Sequence, residues 1–120
     1  MKREIKFKAK QLNSGKWFEG DLVHLGNRVC IGGDHIKDGI TDVDPSTVCQ
    51  FTGLKDCEGN EVWEGDIVER EIYDLFKGSA KVKAVIEYLD GAFVAITDGI
   101  PYSLYFKYIK VVGNKFDKEK

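Results

Sequence analysis

The stretch from Gln50 to Val68 constrains the fold of this chain more strongly than any other. Apolar segments alternate there with Gly53, Gly59 and Gly65, which stand where the backbone must reverse direction. The spacing predicts a strand, a tight turn, a second strand, another turn and the opening strand of a small barrel. The chain therefore divides into one β unit before this stretch and another after it.

The segment that ends at residue 10 has the two-residue period of a half-buried strand. Ile5 and Phe7 point to one face, while Lys6 and Lys8 point to the other. A cationic outer face suits an edge strand, because like charges discourage pairing with another chain. Turn residues follow, and the segment after them predicts a return strand that completes a hairpin.

The two-residue period returns after residue 80. Val82 and Ile86 predict the buried face of a strand, whereas Lys81 and Lys83 predict its exposed face. The sequence thus predicts a second row of lysines on a strand surface, in addition to the row near the N-terminus.

Turn signals connect the later strands. Asp90-Gly91 is the strongest hairpin signal in the chain, because Asp and Gly both adopt the positive φ angles of a type I′ turn. The segment 69–77 fits either a strand or one helical turn, and we expect a strand extension that breaks into a loop. An aromatic segment over 102–108 precedes a predicted final strand at 109–112.

One internal similarity connects the two β units. Glu19 to Val23 is matched by Glu64 to Val68, and each segment has a tryptophan shortly before it. Duplication of a small β unit would give this pattern. Shared turn chemistry gives it as well, because a glycine that bends the chain into a β-branched strand is a common solution. The sequence leaves both explanations open.

Composition limits the class of protein. With 120 residues and a net charge of −2, the chain can bury a core as one domain or as two very small ones. No apolar run approaches the ~20 residues of a membrane span, and the charged N-terminus lacks a secretory signal, so we expect a cytoplasmic protein. The three cysteines have no CxxC spacing and are expected to be free thiols.

No catalytic or metal-binding arrangement is visible in the sequence. His24, Cys30 and His35 match no familiar zinc spacing, and the acidic segment from Asp34 to Asp44 lacks the ordered ligands of a calcium loop. No serine or cysteine stands in a nucleophile motif, and no glycine-rich loop opens a helix. We therefore expect a protein that is not an enzyme and that has no metal, no cofactor and no catalytic residue.

A binding module remains as the functional class. Lysines on two strand faces, together with tyrosines near the C-terminus, are typical of a surface that binds single-stranded nucleic acid. The alternative is that the tyrosines complete the core, and that a protein partner or a second copy of the chain docks on exposed strands. The candidate residues are Lys6, Lys8, Lys81, Lys83, Tyr102 and Tyr105.

The segments Phe51 to Asp56 and Trp63 to Val68, with Gly59 between them, closely resemble the YopX family of phage and prophage proteins. The segments Arg3 to Ala9 and Val43 to Val48 fit the same family. The departures are mild: Cys49 stands where the family commonly has glycine, and Cys57-Glu58 replaces a Lys-Asn pair. The retained Gly59 leaves the turn chemistry intact.

The resemblance implies a β-rich protein of phage or prophage origin with an SH3-like barrel in its C-terminal part. It implies no activity. We expect a mainly β fold, with a small N-terminal β unit over residues 1–50 and an SH3-like β-barrel over residues 51–120. The predicted core consists of Ile5, Phe7, Trp17, Val23, Phe51, Trp63, Ile67, Val82, Ile86, Phe93, Ile109 and Val111.

The expected function is that of a non-catalytic accessory protein that binds a host or phage macromolecule. We expect a protein partner, and nucleic acid binding through the lysine-rich strand faces and tyrosines is the alternative. Self-association is compatible with the sequence, and a membrane partner is not expected.

Overall fold

The computed structural model describes residues 4–76, 78–102 and 109–117, without the side chains of residues 72–74. The chain divides into two compact units, Met1–Phe51 and Thr52–Lys120. Every strand pairing in the described residues is antiparallel, and these residues contain no α-helix. The predicted mainly β class is therefore confirmed.

The first unit is an antiparallel sheet. Its strands are β1 (Phe7–Lys10), β2 (Trp17–Leu25), β3 (Arg28–Gly32) and β4 (Ile40–Asp42). They lie in the order β4-β3-β2-β1, and the beginning of β5 (Cys49–Lys55) pairs with β1. Two short 3₁₀ turns, Lys37–Gly39 and Pro45–Thr47, connect the later strands.

The core of the first unit lies on one face of this sheet. Its fully or nearly buried residues are Ala9, Ile31, Ile36 and Val43. Phe18 pairs with Ala9 across β1 and β2 and packs against this cluster. Because side chains alternate along β2, Trp17 and Val23 lie on the other face, where both are half-buried.

Ile5 is an error in the predicted core. Its side chain is 58% exposed, and it lies before β1, which begins at Phe7. Phe51, at the end of the first unit, is buried as predicted.

The second unit contains a five-stranded antiparallel sheet, in the order β10-β9-β8-β7-β11. A short strand, β6 (Glu61–Trp63), precedes it. The sheet strands are β7 (Asp66–Asp74), β8 (Gly78–Leu89), β9 (Ala92–Thr97), β10 (Ile100–Tyr102) and β11 (Ile109–Asn114). The extension of β7 to Asp74 confirms that the ambiguous segment continues the strand.

The core of the second unit contains Val62, Val68, Ala84, Ile86, Ala95 and Ile109. Trp63, Ile86 and Ile109 are buried as predicted, but among the described side chains of β7 the buried apolar one is Val68, and the predicted Ile67 is only half-buried. The reason is the first residue of the strand. Asp66 turns its side chain inward to accept a hydrogen bond from the Trp63 N–H, which places even-numbered residues on the buried face. Val82, Phe93 and Val111 are half-buried.

Two-residue turns join β8 to β9 and β9 to β10. Asp90 and Gly91 have φ angles of 50° and 87°, and Asp98 and Gly99 have φ angles of 52° and 78°. Positive φ at both central residues defines a type I′ turn. The hairpin predicted from Asp90-Gly91 is confirmed by the pairing of Leu89 with Ala92.

The SH3-like barrel was predicted for this unit, and its described sheet is not a closed barrel. The described sheet ends at β10 on one side and at β11 on the other, and these two strands do not pair with each other. Its likeness to an SH3 fold stays a prediction. The two edges are each unsuited to further strand pairing, for different reasons.

Pro101 occupies the free edge of β10. The two-residue turn makes Thr97 and Ile100 a hydrogen-bonded pair, so the backbone of the next residue faces away from β9. That residue is Pro101, which has no N–H. The edge therefore lacks the central donor that an added strand would need.

The turn after β5 occupies the free edge of β11. The Val111 N–H donates to Asp56 Oδ2 at 2.9 Å, and the Cys57 N–H donates to the Ile109 carbonyl oxygen at 3.1 Å. These two contacts use backbone groups of β11 that would otherwise accept another strand.

Restoring a donor at the β10 edge should promote self-association. We expect Pro101→Val to sediment faster than the wild type as protein concentration rises, because its new N–H faces outward and Val favours strands. Analytical ultracentrifugation measures this. Ile100→Val is the control, since it alters the same strand without adding an outward donor. Identical sedimentation of Pro101→Val and wild type would show that Pro101 does not protect the edge.

Candidate binding surfaces

Lys8, Lys10 and Trp17 form a half-buried patch on the face of the first sheet opposite its core cluster, which we call the Lys-Trp patch. The β1–β2 register places Lys10 directly opposite Trp17. The Nζ atoms of Lys8 and Lys10 lie 4.7 Å and 5.4 Å from the centroid of the Trp17 ring. Both distances are within the range of cation–π attraction. The patch thus combines two cations with one aromatic ring.

Lys6 is engaged by groups of the chain itself. Its Nζ lies 3.7 Å from a carboxylate oxygen of Glu19, 3.8 Å from one of Glu4 and 4.8 Å from the centroid of the Phe51 ring. The Lys6 side chain is 20% exposed. Its aliphatic part covers apolar surface while two carboxylates balance its charge.

Lys81 and Lys83 lie on one face of β8 and are matched by acidic residues on β7. The register places Lys81 opposite Glu71 and Lys83 opposite Glu69. Lys81 Nζ is 3.8 Å from a Glu69 carboxylate oxygen. Opposite charges across a strand pair stabilise the sheet and reduce the positive potential of this lysine row.

The predicted site residues belong to different units. Lys6 and Lys8 lie in the first unit, and Lys81 and Lys83 lie in the second. Tyr102 lies on β10 of the second unit and Tyr105 lies outside the described residues. The nucleic-acid interface therefore stays a prediction.

Arg70 and Tyr102 form a second pairing that the sequence did not indicate. The guanidinium carbon of Arg70 lies 4.0 Å from the centroid of the Tyr102 ring, although the two residues are on β7 and β10. Arg70 Nε is buried and has no hydrogen-bond partner among the residues that the structure describes. A cleft of about 270 Å³ beside Arg70 is also lined by Cys57, Glu69, Glu71, Lys81, Ile109 and Lys110.

The histidines and Cys30 do not converge on a metal site. His35 Nε2 lies 2.7 Å from the carbonyl oxygen of Glu19, which accepts the hydrogen bond, while His24 is an exposed strand residue. Cys30 is buried and donates to Asp42 Oδ1 at 3.1 Å. Among the residues that the structure describes, no three His, Cys, Asp or Glu side chains are placed to hold a metal ion.

Asp42 joins Cys30 to Arg28. Arg28 Nε and Nη2 donate to the same Asp42 oxygen at 2.9 Å and 2.7 Å. The hydrogen bonds from Cys30 and from Arg28 lower the pKa of Asp42 below its ordinary value. Burial, followed by the hydrogen bond to Asp42, raises the pKa of the Cys30 thiol. The thiol is therefore a poor nucleophile, and the cluster is structural.

Asp56 holds the turn after β5 against β11. Its Oδ1 accepts the N–H groups of Glu58 and Asn60 at 2.9 Å and 2.8 Å, and its Oδ2 accepts the Val111 N–H. Burial alone would raise the pKa of Asp56, but the hydrogen bonds from Val111, Asn60 and Glu58 lower it below its ordinary value. A sequence signal for this role was present, because Asp followed three residues later by Gly is typical of a side-chain-closed turn.

Asp66 is the second buried carboxylate of the same segment, with 2% of its surface exposed. It accepts the Trp63 N–H at 2.7 Å through one oxygen and Asn114 Nδ2 at 3.0 Å through the other. Asn114 in turn accepts the Phe116 N–H at 2.9 Å. The most distinctive segment of the sequence thus supports the fold, and sequence reasoning did not find this role.

The hairpin between β7 and β8 ends in two exposed apolar residues. Backbone pairing continues from Glu71 opposite Lys81 to Asp74 opposite Gly78, and we call this part the arm. In the described ranges β11 pairs with β7 only as far as Arg70, so the arm is paired only with itself. At its tip Leu75 is 84% exposed and Phe76 is 95% exposed.

The chain is similar in sequence to a known protein family. A sequence model of a family described as YopX protein matches residues 6–119, which is nearly the whole chain. No curated protein matches it. Within the described residues, no helix is long and apolar enough to cross a membrane.

Asp56 should contribute to the acid sensitivity of the fold. Because its pKa is lowered in the folded state, its stabilising effect is complete above the ordinary Asp value of about 3.9 and is lost as pH falls through the lower folded value. We expect Asp56→Asn to be less stable at neutral pH, since its NH₂ group would face an N–H donor. We also expect a weaker loss of stability on acidification.

Urea denaturation followed by tryptophan fluorescence, repeated from about pH 7 to about pH 2, measures both effects. Asp98→Asn is the matched control for removal of one carboxylate, because it lies in an exposed type I′ turn that Asn tolerates. An Asp56→Asn variant with the stability and the acid dependence of the wild type would contradict the structural role of Asp56.

Proposed function

Because the chain belongs to the YopX family, we propose that it is a phage or prophage accessory protein that works without catalysis in the cytoplasm of the bacterial host, by binding a host or phage protein. The observation that supports this proposal is the apolar tip of the arm. Leu75 and Phe76 are 84% and 95% exposed. These two neighbouring side chains present apolar surface at the hairpin turn, and a protein partner with an apolar pocket would bury it.

The edges of the five-stranded sheet support docking through side chains. Pro101 removes a donor from one edge, and Asp56 and Cys57 occupy the other. Addition of a partner strand at these two edges is therefore disfavoured. The common alternative to strand addition is an aromatic side chain that enters a pocket of the partner. Such anchors supply much of the binding free energy at protein interfaces.

Site-specific photocrosslinking tests the proposal. We expect a chain carrying benzoylphenylalanine at position 76 to form one discrete adduct in lysate of phage-infected host cells. The adduct should disappear when unlabelled wild type is added in excess. It should persist when the competitor is Leu75→Ser/Phe76→Ser, because that variant lacks the apolar tip. Mass spectrometry of the adduct identifies the partner.

The control places benzoylphenylalanine at Asn27, in an exposed turn of the first unit. The competitor variant should unfold at the same temperature as the wild type, since substitution of exposed residues changes stability by about 0.5 kcal/mol or less. The same adducts from positions 27 and 76, or equal competition by both competitors, would rule out docking through the tip.

Nucleic-acid binding is the second candidate function, and the Lys-Trp patch is the observation that favours it. Two ammonium groups beside one indole ring combine the charge and the aromatic surface that a single strand requires. The candidate residues Lys6, Lys81, Lys83 and Tyr102 would add to such an interface. Their contacts with carboxylates of the chain, at Lys6 and Lys81, weigh against it.

Fluorescence anisotropy with labelled single-stranded DNA and RNA tests this second function over a range of salt concentrations. If the Lys-Trp patch contacts phosphates, Lys8→Gln/Lys10→Gln should weaken binding and lower the salt slope by about one per lost contact. Lys37→Gln, an exposed cation of the same unit, is the control. Wild-type protein that binds no strand at low salt would exclude the function.

A further inference from the structure

Near its start, β8 has a backbone edge that no described strand covers. This edge runs from Ser79 to Lys83, and we call it the β8 edge. Pairing of β8 with β9 begins only at Val85, whereas on its other side β8 pairs with β7 along the whole arm. The β8 edge is distinct from the outer edges of the sheet, at β10 and β11. Neither Pro101 nor the turn that Asp56 closes therefore protects it.

Alternate residues of the β8 edge turn their backbone groups toward the open side. The two-residue turn makes Leu89 part of a hydrogen-bonded pair, so every second residue before it faces the β9 side. Lys83 follows this alternation, because its carbonyl oxygen accepts a hydrogen bond from Thr97 Oγ1 at 3.1 Å. The N–H and carbonyl groups of Lys81 and Ser79 face the same side, beyond the end of β9. An extended segment placed there would continue the ladder.

The β8 edge presents different side chains on its two faces. Lys81 and Lys83 lie on the outer face, and the Lys81 side chain is 68% exposed. Ala80 and Val82 lie on the face of the core residue Ala84, where Ala80 is exposed and Val82 is half-buried. A segment that pairs with this edge would place alternate residues beside the lysines and beside the apolar pair.

The charges on the outer face favour an acidic segment. Lys81 lies opposite Glu71, and Lys83 lies opposite Glu69. A carboxylate on an added strand would be next to a lysine, at the strand spacing of about 4.8 Å, and twice as far from the glutamates of β7. Attraction to the nearer lysine then exceeds repulsion by the farther glutamate. Acidic, basic and acidic side chains would alternate across three strands.

The same lysines disfavour a second copy of the chain as the occupant. Two β8 edges that overlap completely and pair antiparallel about a two-fold axis would be centred on Lys81. The Lys81 side chains of the two copies would then lie directly opposite each other. Like charges in that position destabilise a strand pair, and edge lysines discourage such pairing. The β8 edge thus suits an acidic strand better than its own copy.

We propose that the β8 edge binds an extended segment of a partner protein in which two acidic residues flank one apolar residue. Backbone hydrogen bonds form with Ser79 and Lys81. The carboxylates lie beside Lys81 and Lys83, and the apolar side chain lies beside Val82. The inference rests on the proposed function in taking a protein as the partner. It assigns a surface other than the arm tip and the class of segment that this surface recognises.

Selection from a random peptide library displayed on mRNA, against the immobilised full chain, tests the assignment. We expect enriched peptides to share an acidic-apolar-acidic pattern. A selected peptide should bind Lys81→Gln/Lys83→Gln about fivefold more weakly than the wild type, because two cross-strand charge pairs are lost. Lys110→Gln is the control, since it removes a cation from the same face on β11, and it should bind within about twofold of the wild type.

Singly N-methylated versions of the selected peptide test for backbone pairing. Methylation of a residue whose N–H faces β8 removes a hydrogen bond and should abolish binding. Methylation of the next residue affects an N–H that faces away from β8 and should be tolerated. We therefore expect binding to be lost at alternate positions of the peptide.

Amide hydrogen exchange in the wild type locates the peptide without any substitution. Addition of the peptide should slow exchange of the Lys81 N–H about tenfold or more, because that group gains an acceptor. The Val82 N–H is the internal comparison, since it already faces β7 opposite Arg70, and its exchange should change less.

Several results would overturn the assignment. They are enrichment of peptides without acidic residues, or of none, equal binding by Lys81→Gln/Lys83→Gln, loss of binding without alternation, and unchanged exchange of the Lys81 N–H. Slower exchange with rising protein concentration alone would overturn it too, and would identify a second copy of the chain as the occupant. Each of these leaves the photocrosslinking result from position 76 unaffected, so the tip and the β8 edge are judged separately.

Discussion

Two buried carboxylates fix the C-terminal strand of the second unit, and the five-stranded sheet depends on them. Asp56 accepts a hydrogen bond from Val111, inside β11, and Asp66, the first residue of β7, accepts one from Asn114 at the end of β11. Hydrogen bonds to charged groups contribute about 1.5–3 kcal/mol each, and loss of one partner leaves a buried charge uncompensated. The same carboxylate at Asp56 also closes the turn that protects the edge of β11.

The periodic features of the sequence were sufficient to predict much of this fold. The two-residue alternation around Ala84 and Ile86 identified a buried strand face, and Asp90-Gly91 identified a hairpin, because both signals are local. Register was harder to predict. Val68 is buried in place of Ile67 because the side chain of Asp66 turns inward to a backbone donor, and hydropathy carries no information on that contact.

The internal similarity shows why a matching sequence need not give a matching structure. Gly20 lies inside β2, where a Cβ atom would overlap the carbonyl oxygen of Gly32. Gly65 lies in a turn before β7, with a φ angle of 86°. One glycine permits close approach of two strands, and the other permits a left-handed turn. The candidate sites show the same limit, because the sequence identified the lysines but did not indicate that Arg70 stacks on Tyr102.

The contact between Asp56 and Val111 joins residues 55 positions apart and sets an order for folding during synthesis. The first unit has all its strand pairings within the first 51 residues, so its sheet can form while later residues are still inside the ribosome. The second unit cannot complete its sheet until β11 emerges. A nascent chain stopped before residue 109 would present the bare edge of β7, with its unpaired backbone groups, to chaperones and proteases.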